Sequence, residues 1–146
     1  MSNPLPASVV AAIEAGPIAH VATVDADGGP HVSMAWIGLD AGEIVIGTLH
    51  DQRKLRNVRR DGRVAVSFTT GRRTAYGLDE YVVLYGTGRV EPGGAAALLQ
   101  RLARTYLGPD VVFPGIPNPP PGFTTRIAIE RIEGLGAWTE TAEAAR

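Results

Sequence analysis

Residues 47–57, Gly-Thr-Leu-His-Asp-Gln-Arg-Lys-Leu-Arg-Asn, have the side chains best suited to bind an anion. They run from an apolar strand through a short polar turn into a predicted helix, whose first turn carries Arg53 and Lys54. The N-terminal turn of a helix already bears roughly half a positive charge, so two more cations there are unfavourable unless an anion lies nearby. Backbone N–H groups and the hydroxyl of Thr48 would add hydrogen-bond donors. The pattern predicts a phosphate-binding site.

The same helix also has a simpler interpretation. It is rich in arginine, a good helix former that often covers a solvated face. Arg59 and Arg60 agree with this interpretation, because cations in a last turn match the helix dipole. Asp51 is expected to be the N-cap. Thr48, taken alone, could equally be an ordinary strand residue.

The composition narrows the class of function. The net charge is −1, and six of the 14 basic residues fall between Arg53 and Arg63, so the positive charge is local and a general nucleic-acid binder is disfavoured. Lys54 is the single lysine of the chain. Because there is no cysteine, a disulfide framework, a thiol nucleophile and a cysteine metal site are excluded. No metal-ligand cluster is predicted.

No membrane segment is predicted. Apolar runs stay well short of the about 20 residues that a membrane-spanning helix needs, and no basic stretch precedes an apolar one at the N-terminus. The expected location is the cytoplasm.

Hydrophobic periodicity and turn residues predict a chain of short strands with few helices. The predicted helices cover residues 7–15, 51–60 and 92–107, and the predicted strands cover 18–24, 31–39, 43–49, 63–69, 81–90 and 126–132. Six prolines make residues 109–121 an exposed loop. We expect a single domain over residues 1–146, with a core at about 7–135 and a loose tail at 139–146. The expected fold is mainly β: an antiparallel barrel with helices packed at its periphery. Strands that are apolar on both faces favour closure over a core, or burial of one face against a partner.

Several segments in order carry a family resemblance. A strand ending Ile-Gly-Thr leads to Arg-Lys at the start of a helix, then to Asn57 and to Asp-Gly-Arg-Val at residues 61–64. Two further segments add to it. Residues 30–36 begin with Pro-His-Val-Ser and end at Trp36, and residues 102–108 are Leu-Ala-Arg-Thr-Tyr-Leu-Gly. Over about residues 7–135 the chain resembles the split β-barrel flavin and deazaflavin oxidoreductases, a superfamily typified by pyridoxamine phosphate oxidase. Within this FMN-binding-protein-like fold it is most similar to the branch of probable coenzyme F420-dependent enzymes.

The resemblance implies a homodimer with cofactor sites in clefts at the subunit interface. It places Arg53 and Lys54 on the cofactor phosphate, with the Thr48 hydroxyl as a further contact. Residues lining the tricyclic ring would be Ser33, Met34 and Ala35, and Asn57 would brace the site. Residues 113–117 would lie toward its entrance.

Either FMN or F420 would satisfy the phosphate site, since both carry a tricyclic ring and a phosphate. F420 adds an extended anionic tail, and the arginines that could bind it are Arg56, Arg59, Arg60, Arg72 and Arg73. Arg72 and Arg73 could instead form a solvated turn. F420 is favoured, mainly through the branch resemblance.

The resemblance implies an F420H2-dependent reductase that passes a hydride to a small, conjugated organic acceptor. Candidate proton donors are His20, His31, His50 and Tyr85, and no catalytic residue is assigned. The alternatives are an FMN-binding oxidase or reductase of the same fold, and a non-catalytic cofactor- or tetrapyrrole-binding protein.

Overall fold

A computed structural model describes residues 4–139 of the chain. The helices are α1 (Ala7–Glu14), α2 (Arg53–Arg60) and α3 (Ala95–Tyr106). The strands are β1 (Ala19–Val24), β2 (Pro30–Ala35), β3 (Gly38–Asp40), β4 (Glu43–Thr48), β5 (Arg63–Arg73), β6 (Asp79–Pro92) and β7 (Phe123–Leu135). The expected loose tail beyond Thr139 lies outside the described residues.

The strands form one antiparallel sheet in the order β2-β1-β5-β6-β7-β4-β3. Alternate residues of each strand point into a common apolar interior, which includes Val21, Val66, Leu84 and Ile129. Within the described residues the edge strands β2 and β3 do not pair with each other, so the barrel is split. The predicted mainly β, antiparallel split-barrel fold is confirmed.

The strand expected over residues 31–39 is interrupted, which corrects the prediction. β2 ends at Ala35 and β3 begins at Gly38, because the chain leaves the pairing with β1 and crosses to β4. Tyr106 stabilises the break: its hydroxyl accepts a hydrogen bond from the N–H of Ile37 at 3.1 Å and donates one to the carbonyl of Pro17 at 2.6 Å. An unbroken alternation of apolar residues gave no sign of this bend.

Two further local predictions were wrong. Gln52, not Asp51, is the N-cap of α2, and it makes no side-chain capping bond. Asp51 instead forms an ion pair with Arg59 at 3.0 Å, eight positions away, which removes its side chain from the helix terminus. Arg72 and Arg73 belong to β5 and not to a turn, since β5 and β6 continue to a hairpin tip at residues 74–78.

Candidate functional site

A pocket of about 450 Å³ lies where the ends of β2 and β4 meet the start of α2 and one face of α3. Its lining residues are Ile18, Met34, Ala35, Trp36, Ile46, Gly47, Thr48, Leu49, His50, Gln52, Lys54, Leu99 and Phe113. We call it the β4–α2 pocket. Most of these side chains are apolar, and the polar ones are grouped at the β4–α2 connection.

Lys54 and Thr48 give the β4–α2 pocket its polar end. Lys54 is 8% exposed and Thr48 is 5% exposed. The Thr48 hydroxyl is buried without a hydrogen-bond partner, and across residues 4–139 no carboxylate pairs with Lys54. Burial lowers the pKa of the Lys54 ammonium from its ordinary value. A buried cation and an unpaired hydroxyl in one pocket are costly for the free protein and suited to a bound anion.

The start of α2 adds backbone donors to this end. The first N–H groups of any helix lack partners within the helix, and Gln52 supplies no side-chain cap. Because Gln52 and Lys54 both line the pocket, the positive end of the helix dipole faces the same space. The local arrangement agrees with the predicted anion site.

Aromatic side chains form the opposite wall. The ring of Trp36 stacks on that of Tyr106, with centroids 5.1 Å apart, and the ring of Phe113 packs against Trp36 at 5.0 Å. Gln100 fixes Phe113: its amide donates to the carbonyl of Val111 at 2.9 Å and accepts from the N–H of Phe113 at 2.9 Å. The proline-rich segment is thereby attached to α3, with Phe113 at the pocket.

Gly122 anchors the other end of the proline-rich segment. It has a positive φ of 61°, and a side chain there would collide with the carbonyl oxygen of Thr48 and with Ala95. Only glycine allows this close approach of backbone to backbone. The segment therefore returns to the sheet beside the polar end of the pocket.

Arg53 points away from the pocket. Its guanidinium donates two hydrogen bonds to the carboxylate of Asp25, from Nε at 2.9 Å and from Nη2 at 2.6 Å. Asn57 donates to the same carboxylate at 2.9 Å and to the Thr23 hydroxyl at 3.1 Å. The Asn57 and Arg53 bonds hold the pKa of Asp25 below its ordinary value. Arg53 and Asn57 thus join α2 to the end of β1.

Arg60 belongs to the same network. It donates to the side-chain oxygen of Asn57 at 2.8 Å and to the carbonyl of Val24 at 2.7 Å. The two bonds fix the orientation of the Asn57 amide, so that its nitrogen faces Asp25.

The structure therefore divides the sequence-predicted site residues into two groups. Met34, Ala35, Thr48 and Lys54 line the β4–α2 pocket, whereas Ser33, Arg53, Asn57 and Arg60 do not. Ser33 lies opposite Val21 in the β1–β2 ladder, on the inner face of the sheet, where its hydroxyl is buried without a partner. The role of each of these residues at a cofactor stays a prediction.

Most arginines proposed for an anionic tail already have partners. Arg59 pairs with Asp51, Arg72 with Glu80 at 2.7 Å, and Arg73 with Asp79 at 3.5 Å. Arg56 contacts only the carbonyl of Asp51, at 3.4 Å, among residues 4–139. Among residues 4–139, Arg56 and Arg60 are thus the tail candidates on α2 without a carboxylate partner, and of the two Arg60 is held by Asn57 and Val24.

Sequence reasoning missed several lining residues. Leu99 follows the helical periodicity of α3, which gave no sign that this side chain faces a pocket instead of the core. Ile18 is 56% exposed beside the pocket, an apolar side chain that no local pattern distinguishes. Among the proposed proton donors, His50 lines the pocket, whereas His20, His31 and Tyr85 do not.

A second feature is the apolar outer face of the sheet. Val32 and Met34 on β2 and Tyr81 on β6 are 60%, 50% and 44% exposed. The ladder pairs Val32 with Ala22, Ala22 with Ala65 and Ala65 with Tyr85, so these residues share one face. A groove of about 440 Å³ lies on this face. We call this surface the outer sheet face; Met34 belongs to it and to the β4–α2 pocket.

Comparison with known proteins identifies the class. The pyridoxamine 5'-phosphate oxidase family matches residues 5–136. The chain belongs to that family, whose fold binds flavin-type cofactors, and the predicted superfamily is confirmed.

Solved structures show the same fold. An F420 reductase is 21% identical, with a TM-score of 0.68, over 88% of this chain and 98% of that one. The conserved hypothetical protein Rv2991 from Mycobacterium tuberculosis is 21% identical, with a TM-score of 0.67, over 92% and 86% of the two chains. The protein HupZ from Group A Streptococcus is 22% identical, with a TM-score of 0.63, over 91% and 95%. A search of curated protein sequences finds no significant match. None of the helices within residues 4–139 is long and apolar enough to cross a membrane.

Proposed function

We propose that the protein is an oxidoreductase that binds F420 in the β4–α2 pocket and reduces a flat, conjugated organic acceptor. The observation that carries the proposal is that a buried, unpaired Lys54 and an unpartnered Thr48 hydroxyl line the same mostly apolar pocket. These groups fit a phosphate, and the aromatic and aliphatic wall fits a tricyclic ring. Reduced F420, when bound, supplies a hydride from its ring.

The chain's own residues would hold and shield that ring. Lys54, Thr48 and the first N–H groups of α2 would bind the phosphate, and Met34, Trp36 and Phe113 would exclude water from the ring. His50 is the titratable side chain of the pocket other than Lys54, and it is exposed enough to exchange protons with solvent. Arg56 could contact an anionic tail that leaves the pocket along α2.

We further propose that the protein is a homodimer joined through the outer sheet face. Water contact at Val32, Met34 and Tyr81 is unfavourable, and a second copy would remove it. Since Met34 also lines the β4–α2 pocket, the partner subunit would close one side of the cofactor site.

Fluorescence titration with F420 tests the proposal. Saturable binding in the micromolar range is expected, and Lys54→Met should weaken it about tenfold or more because the phosphate loses its buried cation. Arg104→Met, which removes an exposed cation from α3, is the matched control and should leave the affinity unchanged. Absence of binding at tens of micromolar would reject an F420 site.

FMN is the second candidate, favoured by the family to which the chain belongs. Purified protein that is yellow, and that releases flavin on boiling, would support FMN as the resident cofactor. Colourless protein that binds F420 would support the first candidate.

A further inference from the structure

We infer that Asp25 is a specificity-determining residue that neutralises Arg53 and leaves the phosphate site with a single effective cation, matched to a phosphodiester and not to a phosphomonoester. The inference rests on the proposed function and concerns the charge state of the phosphate that the β4–α2 pocket selects. Arg53 and Lys54 are adjacent in sequence, but the structure gives them opposite surroundings.

Arg53 is held in its position by Asp25. A bidentate guanidinium–carboxylate pair is strong and directional, and both bonds of this pair are short, at 2.9 and 2.6 Å. The Asp25 side chain is 13% exposed, although that of Arg53 is 61% exposed. Asn57 adds a third bond to the carboxylate, so Asp25 cannot easily turn away. The position of Asp25 is thus fixed by two side chains that lie one helical turn apart on the same face of α2.

Asn57 is itself fixed by two neighbours. The Thr23 hydroxyl lies 3.1 Å from its amide nitrogen, and Arg60 lies 2.8 Å from its amide oxygen. Asn57 is 3% exposed, so these bonds are shielded from water. Moving Arg53 toward the pocket would leave the Asp25 carboxylate with one partner fewer. The free-energy cost would be that of losing a charge-assisted hydrogen bond.

Little positive charge remains in the pocket once Arg53 is paired with Asp25. Among the lining residues Lys54 is the one fixed cation, and no carboxylate lines the pocket. A phosphodiester carries one negative charge, whereas a phosphomonoester carries about −1.5 to −2 at neutral pH. One cation balances the first, while the second would leave charge uncompensated next to buried apolar groups, which is costly. F420 carries a phosphodiester, and FMN carries a phosphomonoester.

A pair of ligands that differ only in the ester tests the inference. FMN and its methyl ester, riboflavin 5'-(methyl phosphate), share the ring and the ribityl chain, so their affinity ratio isolates the charge of the phosphate. We expect the wild-type protein at pH 7.5 to bind the methyl ester about threefold or more tighter than FMN. Asp25→Asn frees Arg53 and should strengthen FMN binding about fivefold relative to the methyl ester.

Asp79→Asn is the matched control, because it removes an exposed carboxylate from the Arg73 ion pair near the β5–β6 hairpin tip, and neither residue lines the pocket. It should leave the ratio of the two affinities unchanged. Arg53→Gln serves as a second variant that does not depend on the folding of Asp25→Asn. It should change the affinity for F420, and for either flavin, less than about twofold, since Arg53 is already paired.

The outcomes separate the two claims. Weakening of F420 or FMN binding by about tenfold in Arg53→Gln would show that Arg53 binds the phosphate, and would overturn the inference alone. A wild-type preference for FMN over its methyl ester, or an unchanged ratio in Asp25→Asn, would do the same. Absence of binding of F420 and both flavins would reject the proposed function, and the inference with it.

Discussion

Lys54 is buried in the wall of a pocket while its neighbour Arg53 is exposed and paired with Asp25 through two short hydrogen bonds. Successive helical residues point about 100° apart, so two adjacent cations at a helix start need not act on one ligand. The unpaired polar groups of the pocket, Lys54 and Thr48, lie on the strand-facing side of α2 and at the end of β4.

Thr48→Val should weaken cofactor binding without destabilising the free protein. The Thr48 hydroxyl is buried without a partner, so replacing it by a methyl group removes a desolvated polar atom. We expect the midpoint of chemical denaturation to stay constant or rise, and the affinity for the phosphorylated cofactor to fall by about threefold to tenfold. Denaturation curves and fluorescence titrations measure the two effects.

Thr23→Val is the control for this variant. Thr23 is as buried as Thr48, but its hydroxyl accepts a hydrogen bond from Asn57. It should therefore lose about 1 kcal/mol of unfolding free energy. Equal stability losses in the two variants would mean that Thr48 has a partner in the folded protein, and the anion site would lose a donor.

Lys54→Met should make the free protein more stable at neutral pH. Burial lowers the Lys54 pKa, so the folded state binds its proton less tightly than the unfolded state does. The resulting cost is fully present below the folded pKa and disappears as pH rises through it toward the unfolded value. The stability gain of Lys54→Met, on the order of 1 kcal/mol at pH 7, should shrink as the pH approaches 10.5.

Urea denaturation of both proteins between pH 7 and pH 10.5 measures this gain. A gain that is constant over the whole range would contradict the assignment of the cost to the Lys54 charge. Loss of stability in Lys54→Met at pH 7 would show that the ammonium has a partner in solution.

Asp25 should contribute to stability in the opposite pH range. Asn57 and Arg53 lower its pKa, so its contribution is present above the unfolded value of 3.8 and is lost as pH falls through the folded pKa. The melting temperature of Asp25→Asn should therefore lie below that of the wild type at pH 7 and converge with it below pH 3.8. Thermal melts across this range check the prediction, and a difference that persists at low pH would assign the loss to packing.

The positions of most strands along the chain could be predicted from the sequence, since period-two alternation and Gly-, Asp- and Pro-containing turns report local geometry directly. The break at Trp36 and Ile37 could not, because it depends on Tyr106, a hydrogen-bond partner 69 positions away from Ile37. The length of β5 was underestimated for a similar reason: Arg72 continues the strand because Glu80, on the next strand, binds it.

The place of the candidate pocket could be predicted from the sequence, but its surroundings could not. The residue pattern of 47–57 indicated an anion site, and Thr48 and Lys54 do meet in one pocket. Nothing local indicated that Asp25, 28 positions before Arg53, would pair with it. Gln100 was likewise visible only as a polar residue of an amphipathic helix, although its amide attaches the proline-rich segment to α3.

Gln100→Leu should weaken the packing of Phe113 against Trp36 in the pocket wall. Leucine has a similar volume but makes neither of the bonds to Val111 and Phe113, so the ring of Phe113 would no longer be held against Trp36. We expect cofactor affinity to fall by about threefold to tenfold. In a Trp138→Phe background, acrylamide quenching of Trp36 should increase. Gln100→Glu keeps the acceptor for the Phe113 N–H and loses only the donor to Val111, so it should show a smaller effect. Equal effects of the two variants would mean that only the bond to Val111 matters.

Val32→Glu should disrupt the proposed homodimer and, through it, the cofactor site. Val32 is 60% exposed on the outer sheet face, where a carboxylate is compatible with a soluble monomer but not with an apolar interface. Sedimentation velocity should show the wild type as a dimer and the variant as a monomer. The cofactor affinity of the variant should be about tenfold lower, because the partner subunit no longer covers the Met34 side of the pocket. Leu107→Glu, at an apolar position that is 55% exposed after α3, is the control and should remain dimeric. A wild-type monomer that binds the cofactor at full affinity would contradict the interface, and would leave the β4–α2 pocket complete within one chain.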